Sequence, residues 1–382
     1  MKIEDRVLLS LIKQSLFHIP FEIPENVDWD EVYREAKEQA VIGLVNTSIP
    51  KEVEAQRRKQ YYFIIKMFVQ ILIAQRELVQ LLSDQDIPCA ILKGSAAAVY
   101  YPEPYNRTMG DVDFIVAQEH FDATVELMDR NGYKPVPQEG KSSKRHMVYQ
   151  RNGIVFELHH HFSYEKLDVE KYIIDGLKHT EKAQIISYSF PMLPPLANGI
   201  VLLVHMWEHL HNGLGLRQVI DWMLYVDKIL NDEFWEREFE PIAKELGIDM
   251  LAITATRMCQ IYLGLGDKIT WCQCADEKMC EGLMSILLSS GNFGRKKTDE
   301  RLLVEDILTE IRREGLFHYL QNTGEKNWKA YKQHSWLKPF CWAYQISRYC
   351  YLGIKTNRGK DLRQGIDQSK TRADLLRQLN IY

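Results

Sequence analysis

From Glu4 to Phe17, and again from Asp28 to Val41, apolar residues recur every three or four positions, the period of helices that bury one side. The stretch Glu52–Leu82 holds neither Gly nor Pro. Its apolar stripe of Tyr62, Ile65, Phe68, Val69, Leu72, Val79 and Leu82 predicts one long amphipathic helix, ended by Asp84-Gln-Asp-Ile-Pro88. The texture then changes. Cys89–Lys93, Asp111–Val116 and Gly153–His161 are short β-type runs edged by turn residues, separated by helical spacing at Ser95–Tyr101 and Gln118–Arg130. After Pro191–Pro195 helical spacing returns at Ala197–Leu210, Leu216–Leu230, Glu233–Leu246, Met250–Leu263 and Lys278–Leu288, and it continues to the end. No internal period and no low-complexity segment interrupts this order. The pattern predicts an α+β chain in three parts: a helical region at 1–84, a small mixed-sheet core at 85–193 and a second helical region at 194–382.

Composition narrows the class. With 382 residues, 46% hydrophobic and 26% charged, the chain is globular in type and far from the balance of disordered sequences. Its formal net charge of −4 excludes a whole-molecule positive field for nucleic acid. Contact with nucleic acid is expected only through the basic tail 344–382, where Arg348, Lys355, Arg358, Lys360, Arg363, Lys370, Arg372 and Arg377 outnumber Asp361, Asp367 and Asp374. An ordinary solvated helix face is the simpler reading of that tail. Seven scattered cysteines and an acidic start, Met1-Lys-Ile-Glu-Asp5, point to the reducing cytoplasm rather than a disulfide-bonded secreted fold. The most apolar stretches, Ile64–Ala74 and Ile200–Trp207, fall short of the roughly 20 residues that cross a bilayer, so no membrane role is expected.

The middle region carries the chemistry. Leu92-Lys-Gly-Ser95 lies where a strand gives way to a helix, a place where backbone N–H groups can hold phosphate and Gly94 allows close approach. Downstream, Gly110-Asp-Val-Asp-Phe-Ile-Val116 alternates so that Asp111 and Asp113 share one face while Val112 and Phe114 enter a core. Two adjacent carboxylates repel, and a divalent cation with a preference for oxygen, such as Mg²⁺, keeps both ionised. In Gly153–His161 the same alternation puts Glu157 with Val155, His159 and His161, which makes Glu157 a candidate third metal carboxylate.

This combination resembles the nucleotidyltransferase superfamily of DNA polymerase β-like folds: an apolar strand, Gly-Ser, a helix, Asp-x-Asp on the next strand and a later acid. More narrowly, Leu92–Ser95, Tyr101-Pro102, Arg107, Gly110–Val116 and Phe156-Glu-Leu-His159 look like the bacterial uncharacterised nucleotidyltransferase family with a Lys-Gly-Ser start. Leu202–His209 and Gly215–Asp221 are similar to the helical pair that follows the core, so the resemblance spans Pro88 to Leu230. It implies a small nucleotidyltransferase core flanked by helices, with Mg²⁺ or Mn²⁺ and an NTP as co-substrate. By that likeness Asp111 and Asp113 bridge two ions and Glu157 completes the metal site towards the acceptor. Ser95 and Gly94 meet the β- or γ-phosphate, and Lys93 or Arg107 offsets charge on the departing pyrophosphate. Lys93 fits equally as an internal counter-ion of Asp111 or Asp113. His159, His209 and Arg217 fall on the substrate side. The acceptor is a small-molecule hydroxyl, a sugar, a protein side chain or an RNA end. Two features depart from the superfamily: the interval before Asp111 is long, and the third acid is Glu rather than Asp.

Other constellations say less. In His159-His-His161, alternation lets at most His159 and His161 share an ion with Glu157. His205-x₃-His209 lacks the Glu of a zinc protease, and Arg217 and Asp221 have the spacing of a helical ion pair. Cys272-x-Cys274-x₅-Cys280 is not a zinc ribbon. Gly353-x₅-Gly359-Lys360-Asp361 fails as a phosphate loop, and Gly213-Leu-Gly215 falls short of a dinucleotide fingerprint. Beside metal-dependent transfer stand two alternatives: a non-catalytic nucleotide-binding scaffold, and a toxin-type transferase acting on tRNA through the basic tail.

Overall fold

Lys51–Ser83 forms a single 33-residue helix in the computed structural model. The structure describes residues 1–45, 49–137, 146–162, 167–292, 308, 310–312, 315–356 and 372–380. We label this helix α4, after α1 (Ile3–Phe17), α2 (Trp29–Glu38) and α3 (Ile42–Val45). Its buried line is Ile64, Phe68, Ile71, Gln75, Leu78 and Leu82, spaced alternately by four and three. Tyr62 and Val69, part of the expected stripe, are exposed instead. At about 100° per residue, Val69 is turned well away from Phe68, and the apolar arc of the sequence is wider than the arc that the sheet can cover.

The sheet has seven strands: β1 (Cys89–Leu92), β2 (Asp111–Val116), β3 (Lys134–Pro135), β4 (His146–Arg151), β5 (Ile154–His159), β6 (Glu181–Ile185) and β7 (Tyr188–Met192). Their order is β3-β4-β5-β2-β1-β7-β6. The three strands expected from sequence are its adjacent centre. β1 runs antiparallel to β2, with Leu92 opposite Asp113, and β2 runs parallel to β5, with Asp113 opposite Glu157. Strands β3, β4, β6 and β7 were not foreseen. The turn between β4 and β5 is Asn152-Gly153, both residues at positive φ (51° and 79°), which is the dipeptide that favours a tight hairpin.

One sheet face is the hydrophobic core. Val112, Phe114, Phe156, Leu158 and Tyr149 pack there with Phe68, Ile71, Leu78 and Leu82 of α4. The other face carries Asp111, Asp113, Glu157 and His159, as the period of two requires. Helix α5 (Gly94–Ala98) follows β1, α6 (Phe121–Arg130) follows β2, and α7 (Glu170–Lys178) precedes the β6–β7 hairpin. Two apolar helices, α8 (Pro195–Asn212) and α9 (Leu216–Lys228), bring residues to the cleft on the polar face. Gly43 of α3 matters here. A Cβ at that position would lie 2.1 Å from the Asn106 carbonyl oxygen, so only glycine lets α3 rest on the loop that carries Arg107.

The chain divides into two compact units, Met1–Phe293 and Gly294–Tyr382. Both boundaries expected from sequence, 84/85 and 193/194, fall inside the first unit. In the second, helix Leu316–Asn327 packs on helix Cys341–Thr356, where a Cβ on Gly324 would come within 2.0 Å of the Cys341 carbonyl oxygen. Trp328 stacks on Tyr344 with ring centroids 5.0 Å apart. Arg358, Lys360, Arg363 and Lys370 of the basic tail lie outside the described residues. Of the others, Arg348 is exposed, Arg372 is buried and Arg377 pairs with Asp374 at 3.5 Å. Among the described residues, no helix is long and apolar enough to cross a membrane.

Candidate functional site

The site begins at the end of β1. Lys93 takes φ 45° and ψ −106°, a conformation that L residues rarely adopt and that costs on the order of 1–3 kcal/mol. The strained residue lets Gly94 open α5 directly above β2. Lys93 Nζ lies 2.8 Å from Asp113 Oδ1. A Cβ on Gly94 would meet protein only at ordinary contact distance, 3.6 Å from the Asp111 carbonyl oxygen. No packing within the protein therefore demands glycine there.

Asp113 is 5% exposed and receives a second donor on the same oxygen, His159 Nε2 at 2.9 Å. Burial pushes its pKa up, but Lys93 and His159 outweigh burial and hold the carboxyl well below the usual carboxylate range. Asp111, half-buried on the same face, behaves oppositely. Burial, followed by the charges of Asp113 and Glu157, pushes it up to about 6 against the pull of Lys93 and Arg217. Glu157 Oε2 is 3.6 Å from His159 Nε2 and 4.0 Å from His146 Nε2.

Among the described residues, Asp113, Glu157 and His159 bring possible metal-ligating atoms together, all within 4.8 Å of one another. Sequence reasoning had grouped Asp111, Asp113 and Glu157. Asp111 stands beside this trio, and His159 enters it because β5 places the ring next to Asp113. Two carboxylates and an imidazole, with Asp111 adjacent, suit a divalent cation by donor chemistry.

The opposite wall comes from α8 and α9. His205, Glu208, His209 and Arg217 line the same cleft of about 200 Å³ as Lys93, Gly94, Asp111, Asp113, Glu157 and His159. His205 Nε2 and His209 Nε2 are 2.9 Å apart, as the four-residue spacing on one helix permits. Burial lowers both imidazoles, His209 to about 4 and His205 well below its ordinary value, and each is lowered further by Lys93 and Arg217.

Three expected roles look different in the structure. Arg217 does not pair with Asp221. It reaches the Thr108 carbonyl at 3.3 Å, while Asp221 holds Arg107 through Nε at 2.8 Å and Nη2 at 2.7 Å and accepts the Tyr101 hydroxyl at 2.8 Å. Arg107, expected at the pyrophosphate, therefore has its charge balanced by a buried carboxylate even though it borders the cleft. Ser95, expected at a phosphate, is buried, and its hydroxyl donates to Gln75 Oε1 of α4 at 2.6 Å. It ties the turn to the long helix. Gly94 and Lys93 remain on the cleft. His160 stacks near Phe121 away from the trio, and His161 borders the cleft with half its side chain exposed.

Sequence reasoning missed His146 and Gln75. His146 is the cross-strand partner of His159, and the Asn152-Gly153 turn, which folds β4 back on β5, was the signal for it. Gln75 sits mid-stripe on α4 with no local mark. The described cysteines are free.

Among solved structures, the chain is similar to an antigenic nucleotidyltransferase-like protein from Paracoccidioides brasiliensis, at 16% identity over 53% of this chain and 93% of that one, with a TM-score of 0.33. No curated protein matches the chain. The sequence profile described as uncharacterised nucleotidyltransferase matches residues 25–264, a span that takes in α4, the whole sheet and both helices of the cleft wall. The chain belongs to this uncharacterised nucleotidyltransferase family.

Proposed function

We propose that the protein moves a nucleoside monophosphate from an NTP to a hydroxyl acceptor, with Mg²⁺ or Mn²⁺ bound among Asp111, Asp113 and Glu157. The observation that carries this reading is the register of β2 on β5, which sets Asp113 opposite Glu157 on the sheet face beside the Lys93-Gly94 turn. In the reaction the acceptor oxygen bonds to the α-phosphorus, the bond from that phosphorus to the bridging oxygen breaks, and pyrophosphate leaves. The divalent ion supplies charge neutralisation on the triphosphate and a lower pKa for the attacking hydroxyl.

The chain's own residues do the rest. Gly94 leaves room for the phosphates, and Lys93, already cationic beside Asp113, offsets charge that grows on the leaving group. Ser95, through Gln75, and Arg107, through Asp221, position the turn and the loop before Asp111 rather than touch the nucleotide. Glu157, with 24% of its side chain exposed, would complete the metal site towards the acceptor, an electrostatic role, and the hydroxyl proton passes to water. His159, His209 and Arg217 face the acceptor side. The acceptor class, whether small molecule, sugar, protein or RNA end, is decided by the wall from α8 and α9.

The test is incubation with Mg²⁺ or Mn²⁺ and each α-labelled NTP in a metabolite and RNA extract, beside Asp111→Asn and Asp113→Asn. Label that moves to an acceptor only with the native carboxylates supports the transferase. Equal label in all three, or none, leaves a nucleotide-binding scaffold as the better reading.

A further inference from the structure

The donor set on β2 and β5 is not all oxygen. His159 Nε2 is 2.9 Å from Asp113 Oδ1 and 3.6 Å from Glu157 Oε2, so it occupies a corner of the trio rather than its rim. Beyond Glu157 stands His146, cross-strand partner of His159, its ring centroid 5.1 Å from that of His159. Mg²⁺ is bound through carboxylates and waters, whereas imidazole with carboxylate suits Mn²⁺, Co²⁺ and Zn²⁺. In this chain the extra positive charge on Asp113 comes from Lys93, whose ammonium shares Oδ1 with His159. An ion that enters the trio therefore takes the place of the ammonium on Asp113 Oδ1.

We infer that Asp113, Glu157 and His159 form a resident site for a borderline transition ion, Mn²⁺, Co²⁺ or Zn²⁺, that fills without nucleotide and discriminates against Mg²⁺. The inference rests on the transferase reading for its place in the cleft, and on its own donor atoms for its chemistry. It separates two requirements that an all-carboxylate site would merge. The nitrogen-containing site belongs to the protein, and Asp111 is the carboxylate left for the ion that accompanies the triphosphate.

Titration of the metal-free full-length chain with Co²⁺, without nucleotide and with Mg²⁺ in about hundredfold excess, tests this. The expected result is one Co²⁺ per chain, displaced by Zn²⁺ but not by Mg²⁺, and bound roughly tenfold or more weaker in His159→Gln and in Glu157→Gln. Since His159→Gln also takes a partner from Asp113, thermal melts of each variant establish that it is folded. Pulsed electron paramagnetic resonance of the Mn²⁺-loaded native chain detects imidazole nitrogen without any substitution. Displacement of Co²⁺ by Mg²⁺, absence of nitrogen coupling, or unchanged affinity in folded His159→Gln overturns the inference. The transferase reading fails separately: a chain that binds Co²⁺ as described but transfers no label keeps the site and loses the reaction. One that transfers label with Mg²⁺ yet holds no Co²⁺ keeps the reaction and loses the site.

Discussion

The ammonium of Lys93 and the carboxylate of Asp113 lie 2.8 Å apart, both largely out of water, and the lysine that makes this contact is held at positive φ. A buried pair of this kind stabilises little against an apolar alternative, but removing one member leaves the other charge uncompensated. The pair therefore ties the strained turn to the β2 carboxylates. It also links the fold's stability to the state of the site.

Lys93→Met should lower the stability of the metal-free chain by about 3 kcal/mol, the low end for breaking a buried pair, because His159 still serves Asp113. Urea unfolding in chelator, compared with unfolding in a divalent cation, measures it. The cation should restore part of the loss. A variant as stable as the native chain in chelator would mean that the pair is idle.

Ser95→Ala isolates the other side of the same turn. Losing the hydroxyl strands the Gln75 amide in the core, so a loss of about 1–2 kcal/mol is expected. Replacing both partners, Ser95→Ala with Gln75→Leu, should recover much of it, since two apolar groups leave nothing unsatisfied. If Ser95 instead contacted phosphate, the single variant would keep its stability and weaken NTP binding.

Arg107→Lys should behave as a severe change despite keeping the charge. A lysine cannot reproduce the two parallel bonds to Asp221, and the Tyr101 hydroxyl would then share a carboxylate that has lost its fork. About 3 kcal/mol is expected from thermal or urea unfolding, against about 1 kcal/mol for Tyr101→Phe, which leaves the Arg107–Asp221 pair intact. Near-equal losses in the two variants would contradict the bidentate reading.

The difference between these roles and those expected of the same residues shows what a sequence carries. Alternation along β2 and β5 is local, so the shared face of Asp111, Asp113, Glu157 and His159 could be read from residue types alone. The pairing of Arg107 with Asp221 spans 114 positions, and that of Ser95 with Gln75 spans 20 across a strand. No periodicity reports either. Lys93 illustrates the intermediate case: two roles fitted its position, and the Asp113 contact supports the counter-ion one. His146 was legible in principle, through Asn152-Gly153, but only once a strand is placed before that turn.

The cleft wall makes the stability of the chain depend on pH in a direction set by His205 and His209. In the unfolded chain both titrate near 6.5, whereas in the fold burial holds His209 at about 4 and keeps His205 well below its ordinary value. Above pH 7 both are neutral in both states, and this part of the stability is complete. As pH falls below 6.5 the unfolded chain takes up protons that the fold refuses, and stability drops by about 1.4 kcal/mol per pH unit for each histidine. Asp111 acts in the opposite sense. Its carboxyl sits at about 6 in the fold against 3.8 unfolded, so between those values the folded chain is the one that binds the extra proton. Between pH 6 and about 5 the depressed histidines, His146 and His160 among them, outnumber the one raised carboxyl, so stability falls towards acid. His209→Gln should make that slope shallower and Asp111→Asn should make it steeper, as read from urea unfolding in chelator at half-unit steps. Three equal slopes would mean that neither wall of the cleft holds its protons as the geometry requires.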